Sequence, residues 1–268
     1  MDIVVAVKQV PEITDVKVNP ETGTLIREGA PSILNPFCEY ALDHAVRLKA
    51  KFPDIRITAV SMGPPQAREV LLRALELGAD RAVLASDRKF AGADTWATAL
   101  TLAETIRRTT PDFKLILVGK QAIDGDTAQV GPEMAEILSL PQISYGVGVE
   151  LLQGGKKVRV KRELESGWQA VEARLPALAS FSKGELTRRA PSFAAILAAR
   201  AKPLEVVTAA DLGLAEADLG LAGSFTQVVE IFPPRVKQTG RLLKNLESDE
   251  AVREIISLLQ EKGALGRG

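Results

Sequence analysis

The residues best able to do chemistry lie in one stretch: Gly119, Lys120, Gln121, Ala122, Ile123, Asp124, Gly125, Asp126, Thr127, Ala128, Gln129, Val130, Gly131 and Pro132. It follows the most hydrophobic run of the chain, LILV at 115–118, and precedes a helical pattern through 133–140. Its three glycines allow sharp turns and close approach of the backbone to a ligand. A loop between strand and helix can aim several backbone N–H groups at one anion, and the helix start adds its positive end. The chemistry this suggests is phosphate binding. The bland alternative is that these residues only turn and cap. Two helix starts fit: Asp126 or Thr127 as N-cap, or a start nearer Gly131 with Pro132 at the first helical position. The pattern G-x-x-x-x-G-K-[ST] is absent, and no G-x-G-x-x-G follows the first strand.

Other positions offer less. Asn35-Pro36 suits a helix cap and first turn, with Phe37 and Cys38 packed inward. Asp94-Thr95 suits simple capping of a later helix. His44, the only histidine, reads as structural or superficial, and Trp96 and Trp168 as packing residues. One cysteine with one histidine forms neither a disulfide nor a soft metal site. No pair of carboxylates or nucleophile–base arrangement stands out, so no catalytic residue and no metal ligand is expected. The pattern favours a nucleotide-binding module over a hydrolase.

The elements that must position the loop are short apolar runs alternating with amphipathic stretches. Runs at 3–7, 57–62, 81–84 and 115–118 read as strands buried on both faces. Residues 35–51, 64–77 and 94–107 carry helical spacing, as in Ala41, Ala45 and Leu48. This predicts an α/β fold, a Rossmann-like doubly wound parallel sheet whose ligands bind beyond the strands' carboxyl ends. Turn chemistry at 20–23 predicts a hairpin within 16–35. Alternation over 143–183 predicts an added antiparallel meander. Residues 184–268 read as an arm on a partner subunit, against the alternative of a tail wrapped on its own domain. The organisation expected is thus 1–183 as the nucleotide-binding domain and 184–268 as the arm. Its last helix, 248–262, has Ser248 as N-cap and Gly263 as stop.

Composition excludes several classes. The 268 residues are 46% hydrophobic and 25% charged, so the chain is neither disordered nor fibrous as a whole. Lys+Arg and Asp+Glu are both 34, and aromatics only 4%, which argues against nucleic acid as a partner. No apolar run reaches the ~18–20 residues of a membrane span, and the N-terminus lacks signal-peptide features. A cytoplasmic location is the default expectation.

VAVKQVP, NPFCEYALDHAVRLK, SMGPP, LGADRAVLASD and GKQAIDGDTAQVGPEMAEIL, in this order and spacing, resemble the beta subunit of electron-transfer flavoprotein along essentially the whole chain. The resemblance implies a heterodimer whose alpha subunit carries a redox FAD. It implies a beta pocket for adenine nucleotide, matching here Ala6, Asn35, Pro36, Phe37, Cys38, Met62 and the run from Gly119 to Val130. Ordinary members hold AMP in that pocket. Electron-bifurcating members hold a second FAD that meets NADH, and DGDTAQVGP and SFTQVVEIFPPRV (224–236) look like that branch. FAD is therefore expected, with AMP as the alternative. The bifurcating reading implies an acyl-CoA dehydrogenase-like or quinone-linked partner and a low-potential acceptor such as ferredoxin or flavodoxin. The family's partner-recognition segment matches 181–203, with Phe193, Ile196 and Leu197 as contact residues. The lysine-rich run of ordinary members is replaced there by Ala198-Ala199-Arg200-Ala201-Lys202, which leaves the partner's identity open. The non-redox alternative is an adenine-nucleotide-binding regulatory module of similar topology.

Overall fold

The computed structural model describes residues 1–12, 32–183, 190–229 and 244–265. The chain opens with strands β1 (Asp2–Ala6), β2 (Gln9–Pro11) and β3 (Ser32–Leu34), then helix α1 (Pro36–Lys51). There follow β4 (Arg56–Met62), α2 (Arg68–Leu77), β5 (Arg81–Ala85), α3 (Thr95–Thr109), β6 (Phe113–Gly119) and α4 (Val130–Ile137). The strands β7 (Gln142–Leu152), β8 (Lys157–Leu164), β9 (Gly167–Arg174) and β10 (Ala177–Phe181) come next. The last elements are α5 (Phe193–Ala201), β11 (Leu204–Val207), α6 (Ala209–Leu212) and α7 (Ser248–Glu261).

One sheet of nine strands, ordered β11-β5-β4-β1-β6-β10-β7-β8-β9, carries the molecule. It is parallel from β11 to β7, and antiparallel only from β7 through β9. The period of two explains the apolar runs. Ile3 and Val5 of β1, with Leu115 and Leu117 of β6, enter one core with α1 and α2. Val4 and Ala6, with Ile116 and Val118, enter the other, where α3 and α4 supply Leu102, Ile106 and Met134. A side chain such as Ile3 or Leu117, fully buried, contributes roughly 1.5–3 kcal/mol over exposure.

Three departures from the sequence expectation matter. The stretch expected to be wholly antiparallel ends in β10, a fully buried parallel strand between β6 and β7. The antiparallel part is confined to β7–β9. Within residues 184–268, β11 pairs with β5 as a parallel edge strand. Ser248 is the first helical residue of α7, with Glu247 at the cap position and no side chain capping it. Gly263 does stop that helix, with φ of 70°. No residue of α7 is buried, so Val252, Ile255, Ile256 and Leu259 present a bare apolar face. The hairpin turn expected at 20–23 lies outside the described residues, although β2 and β3 on its flanks pair antiparallel. Among the described residues no helix is long and apolar enough to cross a membrane.

Candidate functional site

The connections after β1 and after β6 run to opposite sides of the sheet, and these two strands are neighbours. Such a reversal opens a crevice beyond the strands' carboxyl ends. Ala6 ends β1, Met62 ends β4 and Gly119 ends β6, so three separately expected positions share this edge.

The floor of the crevice is set by Asn35, only 1% exposed. Pro36 takes the first helical position of α1 as expected, but the Asn35 side chain does not cap that helix. Its Nδ2 donates to the carbonyl of Gln121 at 2.8 Å and to Cys38 Sγ at 3.2 Å, and its Oδ1 accepts from Ile123 N–H at 3.2 Å. Asn35 thus ties the phosphate-loop candidate to α1. Gly119 is required by space. A Cβ there would stand 2.8 Å from both Cys38 N and the carbonyl carbon of Phe37. Burial pushes the Cys38 thiol up, overriding the donation from Asn35, so it stays protonated and inert.

The loop above the floor is open. Lys120 N–H donates to Phe181 O at 2.8 Å and holds its start to the sheet. Lys8 Nζ bonds both carboxylate oxygens of Asp124, at 2.8 and 2.9 Å. Gln121 Nε2 donates to Asp126 Oδ1, and Asp126 N–H donates to Ala122 O at 2.9 Å. Asp126 and Ala128 both adopt left-handed backbone, with φ of 54° and 57°. That conformation costs a non-glycine residue about 1–2 kcal/mol, and backbone of alternating hand turns successive N–H groups toward one point. At Gly125 a Cβ would meet nothing within 4 Å.

Helix α4 starts at Val130, so neither Asp126 nor Thr127 caps it. Gln129 holds the cap position without a side-chain bond, and Pro132 is the third helical residue. Proline is harmless there because first-turn N–H groups lack intrahelical partners. Gly131 lets this turn press on β6, since its Cβ would lie 2.9 Å from Val118 Cγ2. The crevice therefore receives the uncapped positive end of α4, with Lys8 at its side. That combination can hold a phosphate or pyrophosphate.

A second cluster adjoins it that the residue pattern did not mark as a site. Asp94 caps α3 as expected, accepting from Ala97 N–H at 3.1 Å. The same carboxylate accepts from Thr226 N–H and Oγ1 at 2.9 and 3.0 Å, while Asp94 N–H donates to Ser224 Oγ at 2.8 Å. Burial raises the Asp94 carboxyl, but the donors from Ala97, Thr226 and Phe225 outweigh it and leave its pKa below the usual value. Thr95 Oγ1 donates to Glu133 Oε1 at 3.0 Å, joining the first turns of α3 and α4. Burial, aided by the charge of Asp94 against the Thr95 bond, raises the Glu133 pKa. Its Oε2 is buried without a partner among the described residues. The Trp96 ring lies 5.6 Å from that of Phe225, which is 80% exposed. About 130 residues separate the two halves of this cluster in the chain. The one hint in the sequence was the resemblance carried by SFTQ.

The residues expected to contact a partner lie elsewhere, on α5. Phe193 and Leu197 are exposed and Ile196 half-buried, while Ala199 is buried. Lys202, at the end of the alanine-rich run 198–202, donates to the carbonyls of Leu75 and Ala79 at 3.0 and 2.7 Å. It ties α5 to the end of α2.

Comparison with known proteins agrees with the geometry. The family model described as "Electron transfer flavoprotein domain" matches residues 22–212. The caffeyl-CoA reductase-Etf complex subunit CarD of Acetobacterium woodii is 42% identical over 262 residues, covering 98% of this chain and 99% of the relative. Electron transfer flavoprotein subunit beta of Megasphaera elsdenii is 42% identical over 267 residues, covering 98% and 97%. Protein FixA of Azorhizobium caulinodans is 39% identical over 242 residues, covering 88% and 86%. With a crevice at the switch point of its sheet and near-complete coverage by these relatives, the chain belongs to the electron transfer flavoprotein family.

Proposed function

We propose that this chain is the beta subunit of a heterodimeric electron-transfer flavoprotein, and that its crevice binds FAD. The observation that carries the reading is the uncapped start of α4 facing a loop held in left-handed backbone at Asp126 and Ala128. Backbone donors of residues 125–130 would hold the pyrophosphate. Asn35 fixes the loop on which they stand. FAD is favoured over AMP because the polar and aromatic cluster of Asp94, Thr95, Trp96, Phe225 and Thr226 adjoins the phosphate site. AMP would leave that surface without a role, whereas a second ring system beyond the phosphates would lie against it.

When bound, flavin supplies hydride and single-electron chemistry; the protein positions it and tunes its surroundings. In this reading the donor is NADH and electrons divide between a dehydrogenase partner and a low-potential acceptor. The name of the Acetobacterium relative, a subunit of a reductase–Etf complex, supports association with a CoA-ester enzyme. This chain's own contribution would be binding, orientation and exclusion of water. Glu133 would set the spacing between the α3 and α4 starts through Thr95.

The test is anaerobic NADH titration of the heterodimer formed with its alpha subunit. The expected result is two flavin equivalents per heterodimer with NADH-dependent bleaching. One flavin equivalent plus AMP, without bleaching, would return the chain to an ordinary electron shuttle. Absence of any flavin would favour the regulatory module.

A further inference from the structure

Two carboxylates meet at the joined first turns of α3 and α4, and their surroundings act on them oppositely. Asp94 accepts from Ala97 N–H, Thr226 N–H and Thr226 Oγ1, which hold its charge. Glu133 has one printed donor, Thr95 Oγ1, on Oε1 at 3.0 Å. Its Oε2 is buried with no partner among the described residues. A buried carboxylate oxygen without a donor makes the ionised form costly. Burial first, and then the charge of Asp94, raise the Glu133 pKa against the Thr95 bond.

Among the described residues no cation forms an ion pair with either carboxylate. Helix α4 packs on α3, β10 and β7. On α3, Arg107 pairs with Glu104 and reaches the Ile137 carbonyl at the far end of α4, and Arg108 lies 3.7 Å from Asp211. Strand β10 carries no titratable group. Strand β7 carries Tyr145, under Lys120, and Glu150, 3.8 Å from Arg159. At the crevice Lys8 is engaged by Asp124, and Asp126 adds a further carboxylate. His44 is the other group with an orphaned buried atom that could change charge near neutral pH. Burial first, and then the charge of Arg47, lower its pKa to about 4, so it stays neutral. It faces a groove along the β7–β9 meander, whose lining includes Trp168, 58% exposed and not packed as its type suggested.

Glu133 also sits where an anion would arrive. It is the fourth residue of α4, and its N–H already bonds Gln129 O at 3.0 Å. The N–H groups left for a phosphate are those of the turn before it. An anion held there brings a third negative charge to Asp94 and Glu133. Asp94, with several donors, keeps its charge, and Glu133 yields. We propose that Glu133 is a proton-binding site linked to the crevice: when a nucleotide pyrophosphate settles at the start of α4, Glu133 Oε2 takes a proton from solvent. One O–H bond forms, the carboxylate charge is cancelled and no electron moves. The crevice thereby accepts a dianion by losing a charge of its own, and its hold on nucleotide weakens as pH rises. This rests on the reading of the crevice as a dinucleotide site.

The test is calorimetric titration of the nucleotide-stripped heterodimer with FAD, in buffers of low and high ionisation enthalpy, over a series of pH values. The FAD pyrophosphate stays ionised throughout, so the protons go to protein. Uptake at the alpha subunit's own site is common to all variants and cancels in the difference. The parent should take up roughly a quarter to a half of a proton more than Glu133→Gln just above the ordinary carboxylate range, fading toward about pH 8. At about pH 8 Glu133→Gln should bind FAD in the crevice about threefold more tightly than the parent, and the gap should close on acidification. Thr95→Val removes the donor to Oε1 and should move the uptake to higher pH. Glu136→Gln, exposed on α4, should match the parent. Two FAD bound with equal proton uptake in parent and Glu133→Gln overturns the proposal and leaves the nucleotide reading standing. Uptake lost as fully in Glu136→Gln, or a profile unmoved in Thr95→Val, also overturns it. Only one FAD bound per heterodimer overturns both readings.

Discussion

The crevice has a floor and a rim built on different principles. The floor, at Asn35, Gly119 and Gly131, is fixed by main-chain proximity and a buried amide. Nothing there can change size without moving α1, α4 or β6. The rim, from Asp124 to Ala128 and from Ser224 to Thr226, is held by polar side chains over mostly exposed backbone. The floor is the fold's requirement; the rim is where a ligand can impose one. Identical residue types therefore mean different things: Gly119 serves packing, while Gly125 serves nothing in the folded chain itself.

Substitution separates the two regions. Gly119→Ala should destabilise most, by about 3 kcal/mol, because its Cβ meets backbone atoms that cannot rotate away. Denaturant unfolding measures this, and a loss well under 1 kcal/mol would break the distinction. Asn35→Ala should cost about 2 kcal/mol, leaving Gln121 O and Ile123 N–H without their buried partner. The same unfolding series, with hydrogen exchange at Ile123, checks both parts.

Glu133→Gln probes the junction of floor and rim. A carboxyl whose folded pKa is raised loses stability as pH rises from its ordinary value through the raised one. Glutamine keeps the acceptor for Thr95 without the charge. The variant should therefore be slightly more stable than the parent at neutral pH, and the gap should close as pH falls below the ordinary carboxylate range. An advantage that widens on acidification would contradict this. Gly125→Leu should have the smallest effect on stability, within about 0.5 kcal/mol, yet lower the nucleotide that copurifies with the heterodimer. Equal nucleotide in mutant and parent would remove the rim's claimed role.

How much of this was legible in the sequence follows the same division. The central strands were readable because burial on both faces leaves a continuous apolar run, as in LILV before Gly119. The loop was readable from its glycines and its place after that strand. Of the two helix starts the sequence left open, the one at Asp126 or Thr127 rested on good capping chemistry and fails, while the one nearer Gly131 falls within a residue of the observed start at Val130, where Gly131 packs closely on Val118. Strand β10 was hidden because ALASF is short and follows an antiparallel pattern, and only its neighbours β6 and β7 make it parallel. The Asp94–Thr226 bonds join residues too distant in sequence for any local pattern. Asn35 looked like a cap because caps and long-range clasps use the same side chain.

The way the sheet ends bears on how the isolated chain would self-associate. One edge, β11, is four residues long, with Glu205 paired to Arg81. The other, β9, carries Glu172, bridged by Arg159 and Lys157. A short edge and a longer one carrying paired charges both discourage strand addition, so neither border is a ready template for cross-β growth. Among the described residues, the bare apolar surface gathered on a single helix is the face of α7, with Val252, Ile255, Ile256 and Leu259. Precipitate formed by this chain without its partner should then retain helical circular dichroism and leave thioflavin dark, as a clumping of helices and not an amyloid.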